Sequence, residues 1–460
     1  MNYTFSPDTI AAIITPPGRG AVSAIRLSGE KAAPIANALF SGDLLEAESH
    51  KALYGALVSP KTKGIIDQAL ILVMKGPNSY TGEDVVEIFC HGSPIITEEI
   101  VEELCALGAR PAKGGEFTLR AFQNGKIDLV QAEAVQSAIA AENALSMKQA
   151  ARHLEGALSK KIQSWQKELT AITAIFEAAV DFPEEGLSFA KEEEIQPRLQ
   201  TVLHEMQTLL DSFSDGKKLE EGLSCCLIGS PNAGKSSLLN ALLRKDRAIV
   251  TKEAGTTRDL LEETLKIGPY SFSLIDTAGI RKAENIVEKE GILRSKKAAK
   301  DADFILLVID SSKPLDPETL LLMEKADPEK TLLVWNKKDL GKDPYQQGKN
   351  GSFPTFPHQI ALSAKTAEGV EELKKRLETL LWNAPPENYS LMLSKKRHKS
   401  CLEKAAQYVQ TVADGLCTLP AFELFAIDLK EALHLLSNMI GSNVTEDVLS
   451  SIFSQFCVGK

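Results

Sequence analysis

Gly229-Ser230-Pro231-Asn232-Ala233-Gly234-Lys235-Ser236 has the spacing G-x-x-x-x-G-K-[ST]. It follows a short apolar run, Cys225 to Ile228, and opens a segment with helical periodicity, Ser237 to Leu243. That is the strand–loop–helix context the motif requires. The glycines let successive backbone N–H groups curl around phosphate oxygens, and the helix N-terminus adds its partial positive charge. Lys235 suits the β- and γ-phosphates and the Ser236 hydroxyl suits Mg²⁺. Asn232, Ala233, Gly234 and Ser237 complete the loop's expected nucleotide contacts.

Short apolar runs recur outward from this loop, at 224–228, 271–275, 304–309, 331–335 and 359–362, alternating with helical segments. This predicts a doubly wound α/β domain. Three of the runs end in polar motifs. Asp276-Thr277-Ala278-Gly279 offers a carboxylate that can hold Mg²⁺ through water and a glycine N–H that can sense a γ-phosphate. Asn336-Lys337-Lys338-Asp339 places a carboxylate that can accept from the N1–H and 2-amino group of guanine. Adenine lacks that donor pair and would leave the carboxylate buried and unpaired. Ser363-Ala364-Lys365 can offer a backbone N–H to guanine O6. Between the first helix and the next strand, Gly255-Thr256-Thr257-Arg258-Asp259 supplies Thr257 for the Mg²⁺ shell, with Thr251 and Thr256 beside the nucleotide. Four ordered motifs after four strands imply GTP rather than ATP.

Ile280 stands where Ras-type enzymes carry a water-orienting Gln. Arg281, Lys282 and Glu288 follow it, and read from chemistry alone each is either a solvated surface charge or a catalytic group. Asn232 is either a loop hydrogen-bonding residue or, with carbonyls of the 251–256 loop, part of a cage for a monovalent cation. A K⁺ there would supply the charge of an arginine finger.

The chain has 460 residues, enough for about three domains. Its 43% hydrophobic content is ordinary for a globular protein. A net charge of −10 argues against a broadly basic nucleic-acid-binding surface. The seven cysteines form no C-x-x-C pair, and an odd count fits a reducing cytosol. No signal peptide and no membrane-spanning run is seen, so the expected location is cytoplasmic.

β-rich runs at 9–14, 22–27, 69–74 and 85–90, with helical segments at 30–40 and 94–107, predict an N-terminal α/β domain over 1–120. Leu154, Leu158, Ile162, Trp165, Leu169, Ile172 and Phe176 recur at spacings of three and four, the stripe of one long bundle helix. A second helix is expected at about 192–213. Helices return at about 395–414, 422–440 and 445–455. The expected architecture is an N-terminal α/β domain (1–120), a helical bundle (121–215 and 384–460) and a Ras-like P-loop domain (216–383) inserted in the bundle.

The chain resembles the MnmE (TrmE) family of tRNA-modification GTPases along its whole length. The resemblance rests on TIAAIITPPGRGAVSAIRLSG (9–29), SYTGEDVVEIFCHG (79–92), GEFTLRAFQNGKIDLVQAEA (115–134), the motifs of the P-loop domain and the terminal Cys457-Val458-Gly459-Lys460. Ser230, Ser93 and Gly114 depart from residues usual in the family, and Glu253 replaces an apolar one; none removes a proposed ligand. The resemblance implies a homodimer joined by N-terminal domains and a tetrahydrofolate derivative (5-formyl or 5,10-methylene) as one-carbon source. It implies the flavoprotein MnmG as partner in a heterotetramer. Together they would add a carboxymethylaminomethyl or aminomethyl group to C5 of the wobble uridine of certain tRNAs. It also implies G domains that pair when GTP and K⁺ bind. Asn232, Thr251, Glu253 and Thr256 would then hold K⁺, Ser236 and Thr257 Mg²⁺, and Glu288 would orient water. Arg26, Glu87, Lys126 and Lys460 would contact the folate: the cations suit its anionic tail, and Glu87 suits the donor edge of the pterin.

Cys457 is expected at a helix C-terminus, where the dipole opposes thiolate formation; it is either a packing residue or a participant in chemistry. Ser394 to Lys399, the most basic stretch, is expected to be a solvated helix start rather than a tRNA contact. Two rival readings are an Era-like ribosome-assembly GTPase switch and a folate-dependent transferase with a regulatory GTPase.

Overall fold

A computed structural model describes residues 8–182, 192–243, 262–267, 270–276, 302–340, 356–381, 391–416 and 421–459. The first sheet comprises β1 (Ile10–Ile13), β2 (Val22–Ser28), β3 (Ala52–Val58), β4 (Ile65–Met74), β5 (Val85–His91) and β6 (Arg110–Pro111), in the order β3-β4-β5-β2-β1-β6. Every pairing is antiparallel except β1 with β6. Alternation sets the two faces. Ile25, Leu27, Leu57, Ile71, Val73, Ile88 and Cys90 point to one side. Helices α1 (Ala32–Asn37) and α2 (Pro94–Ala106) bury that side. Pro94 starts α2 behind Ser93, where a missing N–H leaves no bond unmade. On the opposite face α3 (Glu116–Gln123) lays Phe117 over Ile10 and Ala12. Farther along that face, the register aligns Tyr54, Leu70 and Phe89 in one cross-strand row; Tyr54 is 73% exposed.

An ion-pair cluster ties this domain together. Arg120, 4% exposed, reaches Asp8, Glu83 and Glu116, and Arg110 pairs with the same Asp8 and Glu116. Ser28 donates to Glu83 at 2.7 Å. Glu83, Glu116 and Arg120 lie inside the family-like blocks at 79–92 and 115–134, and Ser28 inside that at 9–29.

Helices α4 (Leu129–Ala140), α5 (Ala144–Leu154), α6 (Ala157–Asp181) and α7 (Glu192–Asp211) follow. The expected single helix through Leu154 is corrected: Gly156, at φ +81, separates α5 from α6. Leu154 is 40% exposed, whereas Leu158, Ile162, Trp165, Leu169, Ile172 and Phe176 are buried. The apolar spacing runs through a break it does not register. The second expected helix likewise ends at Asp211, and α8 (Phe213–Glu221) begins after it.

The next sheet holds β7 (Leu223–Ile228), β8 (Glu262–Ile267), β9 (Tyr270–Asp276), β10 (Phe304–Asp310), β11 (Thr331–Asn336) and β12 (Gln359–Ala361). Its order is β12-β11-β10-β7-β9-β8, parallel except for the edge strand β8. Helices α9 (Lys235–Leu243), α10 (Pro317–Lys325) and α11 (Val370–Leu381) accompany it. Asp316 caps α10 by accepting from Thr319 N–H at 2.7 Å. Last come α12 (Lys396–Leu416), α13 (Phe422–Ile440) and α14 (Glu446–Phe453). α13 packs on α6 and α12, with Phe176, Phe422 and Phe425 forming an aromatic cluster.

The chain divides into two compact units, one of residues 1–140, 150–210 and 396–460, the other of 141–149 and 211–395. Within the second unit the two ends of its longer segment, 211–395, are stitched side by side. Leu393 N–H donates to Ser212 Oγ at 3.1 Å, and Lys395 pairs with Glu220 at 2.6 Å. A β-carbon on Gly216 would strike the Leu393 carbonyl, so that position requires glycine.

The basic stretch 394–399, expected to be a solvated helix start, is one only in part: Lys396 is exposed at the first position of α12, but its neighbours are engaged. Lys395 pairs with Glu220, Arg397 makes a bidentate pair with Glu133 at 3.1 and 2.8 Å, and His398 is 1% exposed with Nε2 2.6 Å from Glu133. Arg397 also donates to Asn438 O and Met439 O at the end of α13. Arg397 and His398 are thus consumed in joining α4, α12 and α13, while Lys399 pairs with Glu403 on its own helix.

Candidate nucleotide site

The loop after β7 is built as the sequence implies. Gly229 (φ +152) runs so close to the Val308 carbonyl, and Gly234 (φ +99) so close to Asn336 Nδ2, that a β-carbon on either would overlap. Asn232 lies in the left-handed region, at φ +63, with its side chain exposed. Lys235 Nζ donates to the Gly229 and Ser230 carbonyls at 2.8 and 2.9 Å. Its ammonium therefore already lies across the loop mouth, where phosphate oxygens would replace the carbonyls. Ser236 and Ser237 are exposed on the first turn of α9.

Asn336 ties three motifs together. Its Nδ2 donates to Ala233 O, and its Oδ1 accepts from Ala364 N–H, both at 2.9 Å. Ser363 donates its hydroxyl to Asp339 Oδ1 at 2.7 Å, and Asp339 itself is exposed. Lys365, beside it, is exposed as well. The phosphate loop and both base-reading segments are thus held in one arrangement by side chains from β11 and the segment after β12.

Parallel pairing of Leu227 with Asp276 brings the end of β9 beside the start of the phosphate loop. Thr251, Glu253, Thr256, Thr257, Thr277, Ala278, Gly279 and Glu288 lie outside the described residues.

A second group of candidates lies on the first sheet. Arg26 on β2 and Glu87 on β5 face each other in register and pair at 2.8 Å. The Arg26 guanidinium lies 4.9 Å from the Tyr80 ring centroid and 5.5 Å from that of Phe117, within cation–π range. Tyr80 OH is 2.9 Å from Thr118 Oγ1. Lys126 Nζ donates to Pro77 O at 2.9 Å. The sequence singled out Arg26 and Glu87 separately; their pairing and the two aromatic walls emerge only from the fold.

The segment after α14 is ordered against this domain. Phe456 packs with Phe453 on Leu119 and Leu129. Gly115 N–H donates to Cys457 O at 3.3 Å, and Val458 bridges Gly114. A β-carbon on Gly459 would strike the Ile13 carbonyl. Cys457 is exposed, and Lys460 lies outside the described residues.

Fold and phosphate-type loop together define a P-loop nucleotide-binding protein. The profile of the MnmE helical domain matches residues 129–457, and that of the GTP-binding protein TrmE N-terminus matches residues 9–126. The chain is similar to the tRNA modification GTPase MnmE of Protochlamydia amoebophila, 46% identical over 98% of both chains. It is 44% identical to that of Chlamydia pneumoniae over 98% of this chain and 99% of the other. Its identity to that of Clostridioides difficile is 41%, over 99% of this chain and 100% of the other. The chain belongs to the MnmE family of tRNA modification GTPases.

Proposed function

We propose that this chain is a GTP hydrolase acting in tRNA modification. With a flavoprotein partner it drives folate-dependent addition of a carboxymethylaminomethyl or aminomethyl group to C5 of the wobble uridine. The observation that carries the nucleotide half is the pair of hydrogen bonds from Asn336, which fixes the phosphate loop against the guanine-reading segments. Membership of the family over nearly the full length supports the tRNA half.

Lys235 and the N–H groups of the loop bind the phosphates, and Asp339 selects the base. The exposed Ser236 hydroxyl at the start of α9 fits Mg²⁺, with Thr257 as its second protein ligand and Asp276 acting through water. Mg²⁺ supplies charge neutralisation on the phosphate oxygens. The exposed Asn232, its backbone turned by a positive φ, fits a K⁺ ligand beside the same loop, with Thr251, Glu253 and Thr256 as the others. Glu288 orients the attacking water, the role Ile280 cannot fill.

Arg26, Glu87, Lys126 and Lys460 form the folate site. Support comes from the Arg26–Glu87 pair between two aromatic walls and from the Gly459 contact, which brings the terminal segment to the end of β1. A homodimer through the N-terminal domain is supported by the open row Tyr54, Leu70 and Phe89. The four-part division at residues 120, 215 and 383 belongs to the same proposal. A cytoplasmic site of action belongs to the same proposal; no helix among the described residues is long and apolar enough to cross a membrane.

The deciding experiment is nucleoside analysis of tRNA from cells lacking this chain. Loss of the modified wobble uridine is expected, and a normal profile overturns the assignment. In Glu288→Ala, GTP binding is expected to persist while turnover is lost; unchanged turnover moves the water-orienting role elsewhere.

A further inference from the structure

The run Asp310-Ser311-Ser312 that ends β10 has no part in the roles above, yet all three residues serve the Asn336–Asp339 turn. Ser311 donates from both its N–H and its Oγ to Asn336 O, at 3.0 and 2.6 Å. Ser312 donates from N–H and hydroxyl to Asp310 Oδ1, at 3.0 and 2.6 Å. The other carboxylate oxygen, Oδ2, accepts from Lys337 Nζ at 2.6 Å. Asp310 is mostly buried, with a side-chain exposure of 13%. Burial would raise its carboxyl, but Lys337 and Ser312 outweigh that and hold it below the ordinary carboxylate range. It is a fixed anion whose two oxygens have separate tasks.

Lys337 occupies an unfavourable conformation for a residue with a β-carbon, φ +65. Its ammonium stands two residues from Asp339, in the same tight turn. A lysine ammonium is a compact charge on a flexible stem, with donors that can turn to a neighbouring carboxylate. Were Asp310 absent, the nearest one along the chain would be Asp339. That carboxylate already accepts from Ser363 and must also accept from the base.

We propose that Asp310 is a positioning residue for guanine recognition: by taking the Lys337 ammonium it keeps that cation off Asp339, whose carboxylate is left to the N1–H and 2-amino donors of the base. What Lys337 then presents is its carbon stem. The inference rests on the guanine-nucleotide reading of this site and adds to it the group that keeps the reading carboxylate available.

The test is calorimetric titration of the full chain with GDP and with inosine diphosphate, which lacks the 2-amino group. Asp310→Ala is expected to raise the GDP Kd about tenfold, and to raise that for inosine diphosphate less. Lys337→Met keeps the stem and removes the ammonium. Introduced into Asp310→Ala, it is expected to return the GDP Kd to that of Lys337→Met alone, a rescue no merely structural role predicts. Asp310→Asn keeps the Ser312 contacts and loses the charge, and is expected to show the same direction with a correct fold. An unchanged Kd in Asp310→Ala and Asp310→Asn overturns the inference, as does a double variant no better than Asp310→Ala. Wild-type chain that fails to bind GDP overturns the nucleotide reading itself, whereas wild-type binding without rescue overturns only the role of Asp310.

Discussion

If Asp339 carries the base selectivity, as the proposed function has it, changing its acceptor pattern should change the base. Asp339→Asn replaces one acceptor by a donor; GDP affinity is expected to fall about a hundredfold while xanthosine diphosphate gains, measured by competitive titration. Retained guanine preference in that variant would assign selectivity to another residue. Gly234 makes a second test at this scale. Its positive φ and its contact with Asn336 exclude a β-carbon. Gly234→Ala should abolish GDP binding while leaving the far-ultraviolet circular dichroism unchanged. Such residues were legible because the phosphate loop is a local object: eight consecutive residues carry its chemistry. Asp310 was not, because its partner lies 27 residues away across two strands, and a strand-terminal Asp reads as an ordinary turn former.

Helices and strands show the same division between local and distant information. The stripe Leu158 to Phe176 announced α6 because burial of one helical face imposes a period that sequence displays. Strand β3 went unread because Gly55 interrupts it and Tyr54 faces outward. Strand β8 was missed because its Glu262, Glu263 and Lys266 give an edge strand the look of a loop. The basic run at 394–399 looked solvated because the carboxylate it needs, Glu133, lies 264 residues from Arg397. Burial would raise the Glu133 carboxyl, but His398 and Arg397 reverse that and hold it well below the usual range. A depressed folded value means the stabilisation is complete above the unfolded carboxyl value of about 4.3 and is lost as pH falls from there. Glu133→Gln leaves the half-buried Arg397 guanidinium without its carboxylate, and a loss of about 3 kcal/mol is expected at pH 7. In urea unfolding that gap should narrow below about pH 4; an equal gap at pH 7 and pH 3 would show that the charge is not what stabilises the joint.

At the scale of the whole molecule, the proposed mechanism makes hydrolysis depend on a small cation as well as on the nucleotide. Turnover is expected to be faster in K⁺ than in Na⁺, which is larger in charge density and fits a loose oxygen cage poorly, and Asn232→Ala should erase the difference. Equal rates in both salts for the wild-type chain would remove K⁺ from the mechanism. The acidic balance of −10 bears on tRNA as well. It confines any direct contact to a local patch, and binding by this chain alone should weaken steeply with added salt.

The contacts of Cys457, Val458 and Gly459 with Ile13, Gly114 and Gly115 join positions several hundred residues apart. A ribosome needs about 20 s or more to cover that distance. For that interval the first sheet stands without the contacts of 457–459, so a domain translated early is finished late. A nascent chain stalled anywhere short of residue 456 should therefore expose Leu119 and Leu129 to chaperones that a completed chain no longer attracts.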